Sequence, residues 1–239
     1  DGFFGNCNPK NKKNYRTRCS ALIKTSSENI LIDTSPDLRQ QLLRHKIKKI
    51  NKVYYSHMHA DQTHGINDLR SFFLNSKKQI DIFADKNTAK VLKQSFSYCF
   101  KNYSSEYPAT LKFNKLNRNS IVNHNNKKIK IKAIQVEHGK VKSNCFIIDK
   151  RLAYITDVSN IHKKDFSHFK NLNYLIIDCL WYNHHPSHFN LEKSLFYIKK
   201  FNPKYAILSN LSHVLDYKTL KKYLPKNVTP AHDGLTVKL

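Results

Sequence analysis

Short apolar runs, many of them alternating with polar residues, recur along the chain and predict β-strands. The segments with this pattern are Ala21–Lys24, Ile30–Asp33, Val53–Ser56, Ile80–Ala84, Ile129–Val136, Cys145–Asp149, Leu152–Thr156, Tyr174–Asp178, Tyr205–Ser209 and Leu235–Leu239. Elsewhere the apolar residues return at helical spacing. The first predicted helix begins with an N-cap serine and a proline, Ser35-Pro36, and its apolar face carries Leu38, Leu42 and Leu43. The other predicted helices are Ile66–Leu74, Ala89–Phe100, Leu191–Phe201 and Tyr217–Leu224.

The order of these elements predicts a mixed α/β fold. Strands and helices alternate in the first half, residues 110–156 are rich in strands, and the alternation returns toward the end. No linker, repeat or biased insertion interrupts the series, so residues 1–239 are predicted to form one domain with two β-layers. A chain of 239 residues is long enough to bury the core that such a domain needs.

The composition excludes several other classes of protein. With 40% hydrophobic and 12% aromatic residues, the chain is not disordered, and no apolar run approaches the ~20 residues of a membrane helix. Five cysteines without paired spacing favour reduced thiols in a cytoplasmic protein, with Cys99, Cys145 and Cys179 in the core. Because the chain begins at Asp1 rather than at a methionine, we expect a segment upstream of it.

The net charge is large, but the residues that produce it do not decide whether the chain binds nucleic acid. The chain has 42 Lys+Arg against 17 Asp+Glu, a formal charge of +25 that suggests nucleic-acid binding. Only seven of the 42 basic residues are arginines, and asparagine is abundant. Lysine and asparagine without clustered arginine are also what AT-rich coding drift produces, and such lysines mostly lie on solvated faces.

A dense cluster of metal-binding side chains follows the predicted strand Val53–Ser56. Its sequence is His57-Met58-His59-Ala60-Asp61-Gln62-Thr63-His64. These polar side chains cannot all pack in a core, and imidazole and carboxylate groups are the common ligands of catalytic zinc and related metals. Because His57 and His59 alternate along an extended strand end, both can reach one ion. The alternative is a polar turn that caps a helix.

This cluster resembles the His-x-His-x-Asp-His motif of the metallo-β-lactamase superfamily, which also follows a strand. The closer resemblance is to the phosphoribosyl cyclic phosphate phosphodiesterases of phosphonate utilisation, whose motif continues His-Gly-Ile-Asp-Asp-Leu-Arg. Here the chain has His64-Gly65-Ile66-Asn67-Asp68-Leu69-Arg70. The resemblance covers nearly the whole chain and implies an αβ/βα four-layer sandwich with the active site at one edge between the sheets. It also implies that the family's first strand and Gly-rich turn are missing from this chain.

The resemblance assigns metal ligands position by position. His57, His59, His138 and Asp157 match the ligands of the first metal, and Asp157 matches the carboxylate that bridges two ions.

The second metal site departs from the family pattern. Asp61 is present, but Gln62 and Asn210 occupy the positions of two family histidines. An amide oxygen is a harder and weaker ligand than imidazole, so this site is either retuned toward Mn²⁺ or Mg²⁺ or vacant. The expected cofactors are therefore one or two divalent ions, zinc or manganese.

Other residues match substrate-binding and catalytic positions of the family. His188 matches a histidine that contacts the substrate and assists proton transfer, the alternative being a helix-capping or surface histidine. Arg70, and with less support Arg39, could bind a phosphate through a bidentate fork, or could instead pair with Asp68 or Asp33.

Three more positions match optional metal sites of relatives. Cys7 and His213 match part of an extra structural zinc site, in which Phe4 stands at a family cysteine position. His232 matches the final metal ligand of the tRNA 3′-processing relatives and could replace the lost imidazole at the second metal. His184 and His185 have less support and are neighbours of His188 in the chain.

These residues lead to one principal hypothesis and two rivals. The principal one is a metal-dependent phosphodiesterase, in which a metal-bound hydroxide attacks a small, cyclic phosphodiester and His188 and Asp61 take part in catalysis. The rivals are an RNA-processing nuclease of the same superfamily and a catalytically degenerate binding protein. The expected partner is a small anionic phosphodiester, with nucleic acid less favoured, no membrane, and a homodimer compatible with the sequence.

Overall fold

The computed structural model describes residues 2–125 and 127–239. The chain divides into two compact units, one made of residues 18–129 and the other of the N-terminal residues up to 17 together with 130–239. They are called the central unit and the outer unit below. In the part of the chain that the structure describes, no helix combines the length and the apolar character needed to cross a bilayer.

The central unit contains a five-stranded sheet in the order β1-β2-β3-β4-β5. Its strands are β1 (Ala21–Lys24), β2 (Asn29–Ile32), β3 (Lys52–Tyr54), β4 (Ile80–Ala84) and β5 (Leu111–Lys115). The pair β1–β2 is antiparallel, whereas β2, β3, β4 and β5 run parallel to one another. The parallel strands are joined by helical connections, as the alternation of apolar patterns predicts.

The second sheet has seven strands in the order β12-β11-β10-β9-β8-β7-β6. They are β6 (Asn119–His124), β7 (Lys127–His138), β8 (Val141–Ile148), β9 (Leu152–Ile155), β10 (Tyr174–Asp178), β11 (Tyr205–Ser209) and β12 (Val228–Pro230). Strands β9 to β12 are parallel, and β8 pairs antiparallel with both β7 and β9. The chain therefore has the two sheets that its sequence predicts.

Helices of modest length connect the parallel strands. They are α1 (Leu38–Arg44), α2 (Ala60–Thr63), α3 (Arg70–Ser76), α4 (Lys86–Ser95), α5 (Ser97–Phe100), α6 (Leu191–Phe201) and α7 (Tyr217–Tyr223). Short 3₁₀ turns occur at Lys12–Asn14, Ile66–Leu69 and Lys163–His168. Where these helices have a side-chain cap, it comes from a short polar residue: Asp85, Asn190 and Asp216 accept hydrogen bonds from the first turns of α4, α6 and α7.

Each unit has its own apolar core. In the outer unit, Phe169, Phe201 and Phe189 are fully buried with residues of β9, β10 and β11. In the central unit, Val53 and Ile82 of the sheet pack in a second cluster with helical residues. Cys99, Cys145 and Cys179 are buried, which confirms their predicted place in the core.

Several predicted elements differ from the structure. The helix predicted over Ala89–Phe100 is two helices, α4 and α5, which are interrupted at Phe96. The segment Leu235–Leu239 forms no strand; instead β12 pairs with β11 and forms that end of the sheet. Helix α1 begins at Leu38 after Asp37, and the Ser35 hydroxyl accepts a hydrogen bond from the Asp37 N–H instead of capping the helix. The error at the edge of the sheet arises because pairing with a distant strand decides between short local patterns, whereas the delayed start of α1 comes from a local turn at Ser35.

Asp216 makes the stability of the outer unit dependent on acid. Burial alone would raise the pKa of this carboxyl, but hydrogen bonds from Thr219, Asn14 and Asn8 outweigh burial and lower the pKa from 3.8 to about 2. Its stabilising effect is therefore complete above about pH 4 and is lost as the pH falls toward 2.

We expect the free energy of unfolding to fall more steeply between pH 5 and pH 2 in the wild type than in an Asp216→Asn variant, as measured by urea denaturation. At neutral pH the variant should be less stable by about 1 kcal/mol, because the amide loses the negative charge at the N-terminus of α7 and one of the two oxygens that accept hydrogen bonds. Equal slopes in the two proteins would show that Asp216 does not carry this dependence.

Candidate functional site

A group of three potential metal ligands lies at one end of the outer unit's strands. His138, Asp157 and His188 each offer one ligand atom, and these atoms lie within 4.8 Å of one another. His138 and Asp157 are buried, whereas His188 is partly exposed. We call these three residues the ligand group.

The ends of three strands position the ligand group. His138 is the last residue of β7, Asp157 follows the end of β9, and His188 lies in the loop between β10 and α6. The carboxyl ends of strands are where α/β proteins commonly place their binding residues. Asp157 has a left-handed backbone with φ of 56°, a conformation that costs energy for a residue other than glycine and occurs preferentially at functional sites.

A backbone carbonyl fixes the ring of His138. Its Nδ1 atom lies 2.7 Å from the carbonyl oxygen of Ser187, and a carbonyl can only accept a hydrogen bond. The proton of the neutral ring is therefore on Nδ1, which leaves the Nε2 lone pair as the possible ligand. Holding the second ring nitrogen in this way is typical of metal-binding histidines.

His188 is held by a buried carboxylate, Asp178, that was not among the residues predicted for the site. Its Nδ1 lies 2.9 Å from Oδ2 of Asp178, and its Nε2 lies 3.9 Å from Oδ1 of Asp157. Oδ2 of Asp178 also accepts hydrogen bonds from the N–H groups of Val158 and Phe189. Asp178 thus orients the imidazole, with Nδ1 toward itself and Nε2 toward Asp157.

The sequence places Asp178 at the end of a predicted strand, but this position alone does not indicate a role in the site. It is the last residue of β10, at the same end of the sheet as Asp157 at the end of the neighbouring strand β9. A carboxylate at such a position has many structural uses, and only the contact with His188, ten residues away, gives it this one. Ser187 was missed for a similar reason, because it acts through its backbone carbonyl.

The histidine motif of the central unit begins after β3, as predicted. His57 is fully buried and its Nε2 lies 2.9 Å from Nδ1 of the exposed His59, while its Nδ1 lies 3.0 Å from the Ser56 hydroxyl. The Ser56 N–H donates to Oδ1 of Asp33, which has a φ of 61°. Two imidazole nitrogens so close together are suited to sharing a proton or to approaching one ion.

Gly65 is required by close packing beside this motif. A Cβ atom built at this position would lie 2.0 Å from the carbonyl oxygen of Ser35, a backbone atom that cannot move aside easily. The N–H of Gly65 donates to the carbonyl of Thr34. The histidine motif is therefore held tightly against the loop that follows β2, and glycine is the residue that permits it.

Asp61, Gln62 and Asn210, which the sequence assigns to a second metal, differ in their exposure and contacts. Asp61 is exposed and accepts a hydrogen bond of 3.1 Å from Nε2 of the buried Gln62. Asn210 directly follows β11 with a φ of 58°. Whether these side chains bind a metal stays a prediction.

The two arginines differ in their surroundings. Arg39 lies beside Asp68, where burial raises the pKa of the carboxyl while the backbone N–H and the charge of Arg39 lower it less strongly. This contact agrees with the alternative that Arg39 pairs with Asp68 rather than binding a phosphate. The guanidinium of Arg70 has no hydrogen bond or ion pair with residues 2–125 or 127–239, and it lines a cavity of about 280 Å³ with Tyr98, Tyr103, Tyr107 and Pro108.

Cys7, His213 and His232, the candidates for the optional metal sites, each have different surroundings. Cys7 is buried 3.9 Å from Nη1 of Arg16; burial raises its pKa most, and Arg16 opposes this. His213 is exposed and lies against other rings, and Nδ1 of the half-buried His232 lies 3.0 Å from the carbonyl of Asp233. Within the described ranges, none of these three residues belongs to a group of three converging ligand atoms.

The chemistry of the donors fits a divalent transition metal. Imidazole nitrogens and a carboxylate oxygen are the ligand types that zinc and manganese sites use, and the hydrogen bond from Nδ1 to Ser187 makes Nε2 the ligand atom that His138 could offer. Among residues 2–125 and 127–239, the ligand group and the pair His57 and His59 therefore have the chemistry to hold metal.

Comparisons with known proteins place the chain in a family. The family model for the beta-lactamase superfamily domain matches residues 28–209. A crystal structure of a diphosphatase from the PhnP family superposes with a TM-score of 0.86 at 28% identity, covering 96% of this chain and 87% of that one. The likeness includes the mixed α/β fold with two sheets.

The proteins that are similar to this chain in sequence include an octanoyltransferase and a ribonuclease Z. An octanoyltransferase of Porphyromonas gingivalis is 27% identical over 232 residues, which cover 96% of this chain and 46% of that protein. A ribonuclease Z of Methanococcus maripaludis is 29% identical over 98 residues, covering 39% of this chain and 31% of the relative. The chain thus spans less than half the length of these relatives.

The family model covers most of the chain, and the high TM-score extends the likeness to nearly all of it. The predicted resemblance and fold class are confirmed, including the likeness to the phosphodiesterase branch. Members of this superfamily are hydrolases that bind divalent metals. The chain belongs to the beta-lactamase superfamily, and it carries the fold of the metallo-β-lactamases.

Proposed function

We propose that this chain is a metal-dependent phosphodiesterase that acts on a small phosphodiester. The observation that carries the proposal is the ligand group with Asp178 behind it, because it combines metal-binding atoms with an oriented imidazole. Similarity to a diphosphatase of the PhnP family supports a reaction at phosphorus. The proposal includes zinc or manganese as the metal, a cytoplasmic location, and one domain over residues 1–239.

The proposal gives each residue a role. His138 and Asp157 hold metal in the outer unit, and His57 and His59 are metal ligands of the central unit. A bound divalent ion supplies Lewis-acid charge and an activated water. Arg70 offers a bidentate fork to phosphoryl oxygens. Asp61 assists proton transfer, and Gln62 and Asn210 are retained as weak ligands of a second ion.

His188 is suited to move a proton. Its Nδ1 proton is held by Asp178, so Nε2 is the atom that can protonate the leaving alkoxide. The carboxylate of Asp178 stabilises the charged imidazolium, which makes the ring available as an acid. In this role Nε2 carries a proton and is not a metal ligand, so His138 and Asp157 are the members of the ligand group that would hold metal.

Metal content and diester hydrolysis together test the proposal. Protein loaded with Zn²⁺ or Mn²⁺ should hydrolyse bis(p-nitrophenyl) phosphate and small cyclic diesters, and treatment with a chelator should abolish the activity until metal is restored. A His188→Ala variant that keeps its metal but loses activity supports proton transfer. No hydrolysis of any diester by metal-loaded protein, or equal hydrolysis by a His57→Ala variant, would contradict the proposal.

Similarity to ribonuclease Z and the charge of +25 make an RNA substrate the second candidate. The same preparation distinguishes the two. A nuclease should cleave RNA much faster than small diesters, and its RNA affinity should fall steeply as salt is added.

A further inference from the structure

A continuous row of rings leads away from the ligand group on the outer unit. The ring centroids of His138 and His188 are 4.8 Å apart, and those of His188 and His185 are 5.2 Å apart. Trp181 follows at 6.3 Å from His185, and His213 lies 6.4 Å from Trp181. These separations are typical of rings in contact or nearly so. We call His185, Trp181 and His213 the ring row.

The ring row faces solvent. Trp181 is 37% exposed, His213 is exposed and His185 is partly exposed. Single exposed aromatic residues are common on protein surfaces and need no explanation, whereas a contiguous set beside potential catalytic groups is typical of a ligand site. The roles proposed above for the ligand group do not use Trp181, the only tryptophan in the sequence.

The backbone holds Trp181 in place. Its carbonyl accepts a hydrogen bond of 2.8 Å from the N–H of Leu191, the first residue of α6, and Trp181 and Asn190 form a β-bridge. The preceding residue, Leu180, donates to the carbonyl of Phe189 at 2.9 Å. Both ends of the loop are therefore fixed, and a ligand that stacks on the indole need not order it first.

His185 is held in the same loop. Its Nδ1 lies 3.3 Å from the N–H of Ser187 and 3.2 Å from the Ser187 hydroxyl. The backbone N–H can only donate, so Nδ1 accepts. These hydrogen bonds fix the orientation of the His185 ring, which lies between the rings of Trp181 and His188. The carbonyl of this same Ser187 orients His138, so one residue positions both the ligand group and the ring row.

We propose that Trp181 and His185 form a stacking platform for a planar heterocyclic base, so that the substrate is a small nucleotide-type phosphodiester whose phosphate lies at the ligand group. This deepens the proposed function and rests on it. In a nucleotide one sugar ring lies between the base and the phosphate, and the ring next to the platform, His188 at 5.2 Å from His185, belongs to the ligand group. A base gains from aromatic stacking whatever its identity, whereas a sugar cyclic phosphate has no π-face to stack.

Because Trp181 is the only tryptophan, its fluorescence reports binding directly. We expect adenosine 2′,3′-cyclic phosphate to quench this fluorescence saturably, and a ribose cyclic phosphate without a base to leave it unchanged. Equal quenching by both compounds, or quenching by neither, would overturn the platform. This measurement needs no turnover, so selective quenching in a protein that cleaves no diester would contradict the proposed function while supporting the platform.

Variants at Trp181 provide a second readout. Trp181→Leu should raise KM for the base-bearing diester roughly 10- to 100-fold, Trp181→Phe should restore most of the affinity, and neither should change KM for a base-free diester. Tyr223→Ala is the matched control, because it removes an aromatic ring that is 81% exposed at the end of α7. A KM for the base-bearing diester that is unchanged in Trp181→Leu would overturn the proposal.

A short single-stranded oligoribonucleotide distinguishes the source of the base. The proposal expects it to quench no more tightly than the mononucleotide. If it quenches at a hundredfold lower concentration, the base belongs to an RNA strand and the small-nucleotide assignment is wrong.

Discussion

Replacing His138 with alanine is expected to lower kcat/KM for a small phosphodiester roughly a thousandfold, because the metal contributes several kcal/mol of charge stabilisation at the reacting phosphate. Bound metal per chain should fall in parallel, as measured by elemental analysis of the purified protein. His138 is buried, and its Nδ1 is already engaged by the Ser187 carbonyl, so its Nε2 is the atom whose loss matters.

His162→Ala is the matched control for this variant. His162 is also a histidine of the outer unit, but it is more exposed and pairs with Glu137 at 2.9 Å. Its removal should leave metal content and kcat/KM close to those of the wild type. If His138→Ala retains both its metal and its activity, His138 is not a ligand.

The second large effect is expected at Asp178. The Asp178→Asn substitution keeps an oxygen that can accept the N–H groups of Val158 and Phe189, but it removes the negative charge beside Nδ1 of His188. We expect kcat to fall roughly a hundredfold, the size of effect usually attributed to a general acid. KM and bound metal should change little, because the carboxylate acts through His188 and does not itself contact the substrate.

Asp216→Asn separates this effect from a loss of stability. Asp216 is likewise a buried carboxylate that accepts backbone hydrogen bonds, but its partners are Asn8, Asn14 and Thr219, and none of them is a ligand-group residue. It should lower stability without lowering kcat at neutral pH. If Asp178→Asn reduced kcat by less than threefold, Asp178 would have only a structural role.

The elements of the fold were largely predictable. The apolar runs at Ile80–Ala84, Tyr174–Asp178 and Tyr205–Ser209 form strands with those bounds, and Leu191–Phe201 forms a helix with the predicted bounds. These patterns are local, since burial of one face imposes period two on a strand and period 3.6 on a helix. The edge of the second sheet was not predictable, because Val228–Pro230 and Leu235–Leu239 both carry short apolar patterns and only pairing with β11 decides between them.

The site was predictable in part. The dense motif around His57 and His59 and the resemblance of His138, Asp157 and His188 to a family could be found in the sequence alone. The hydrogen bonds that hold the rings could not be found in this way, because Asp178 precedes His188 by ten residues and Ser187 acts through a main-chain atom. Neither residue type is distinctive in its local sequence.

By itself, the sequence determined the alternation of elements, the family and the identity of the potential ligands, because these are properties of local pattern and side-chain chemistry. The tertiary structure alone decided that Asp178 orients His188, that a carbonyl sets the proton on His138, and that Trp181 continues the row of rings beyond His185. Those relations depend on how the loops after β9 and β10 fold back on the strand ends. These contacts lie within an irregular loop or join that loop to the end of a strand 49 residues away, and no periodic sequence pattern specifies them.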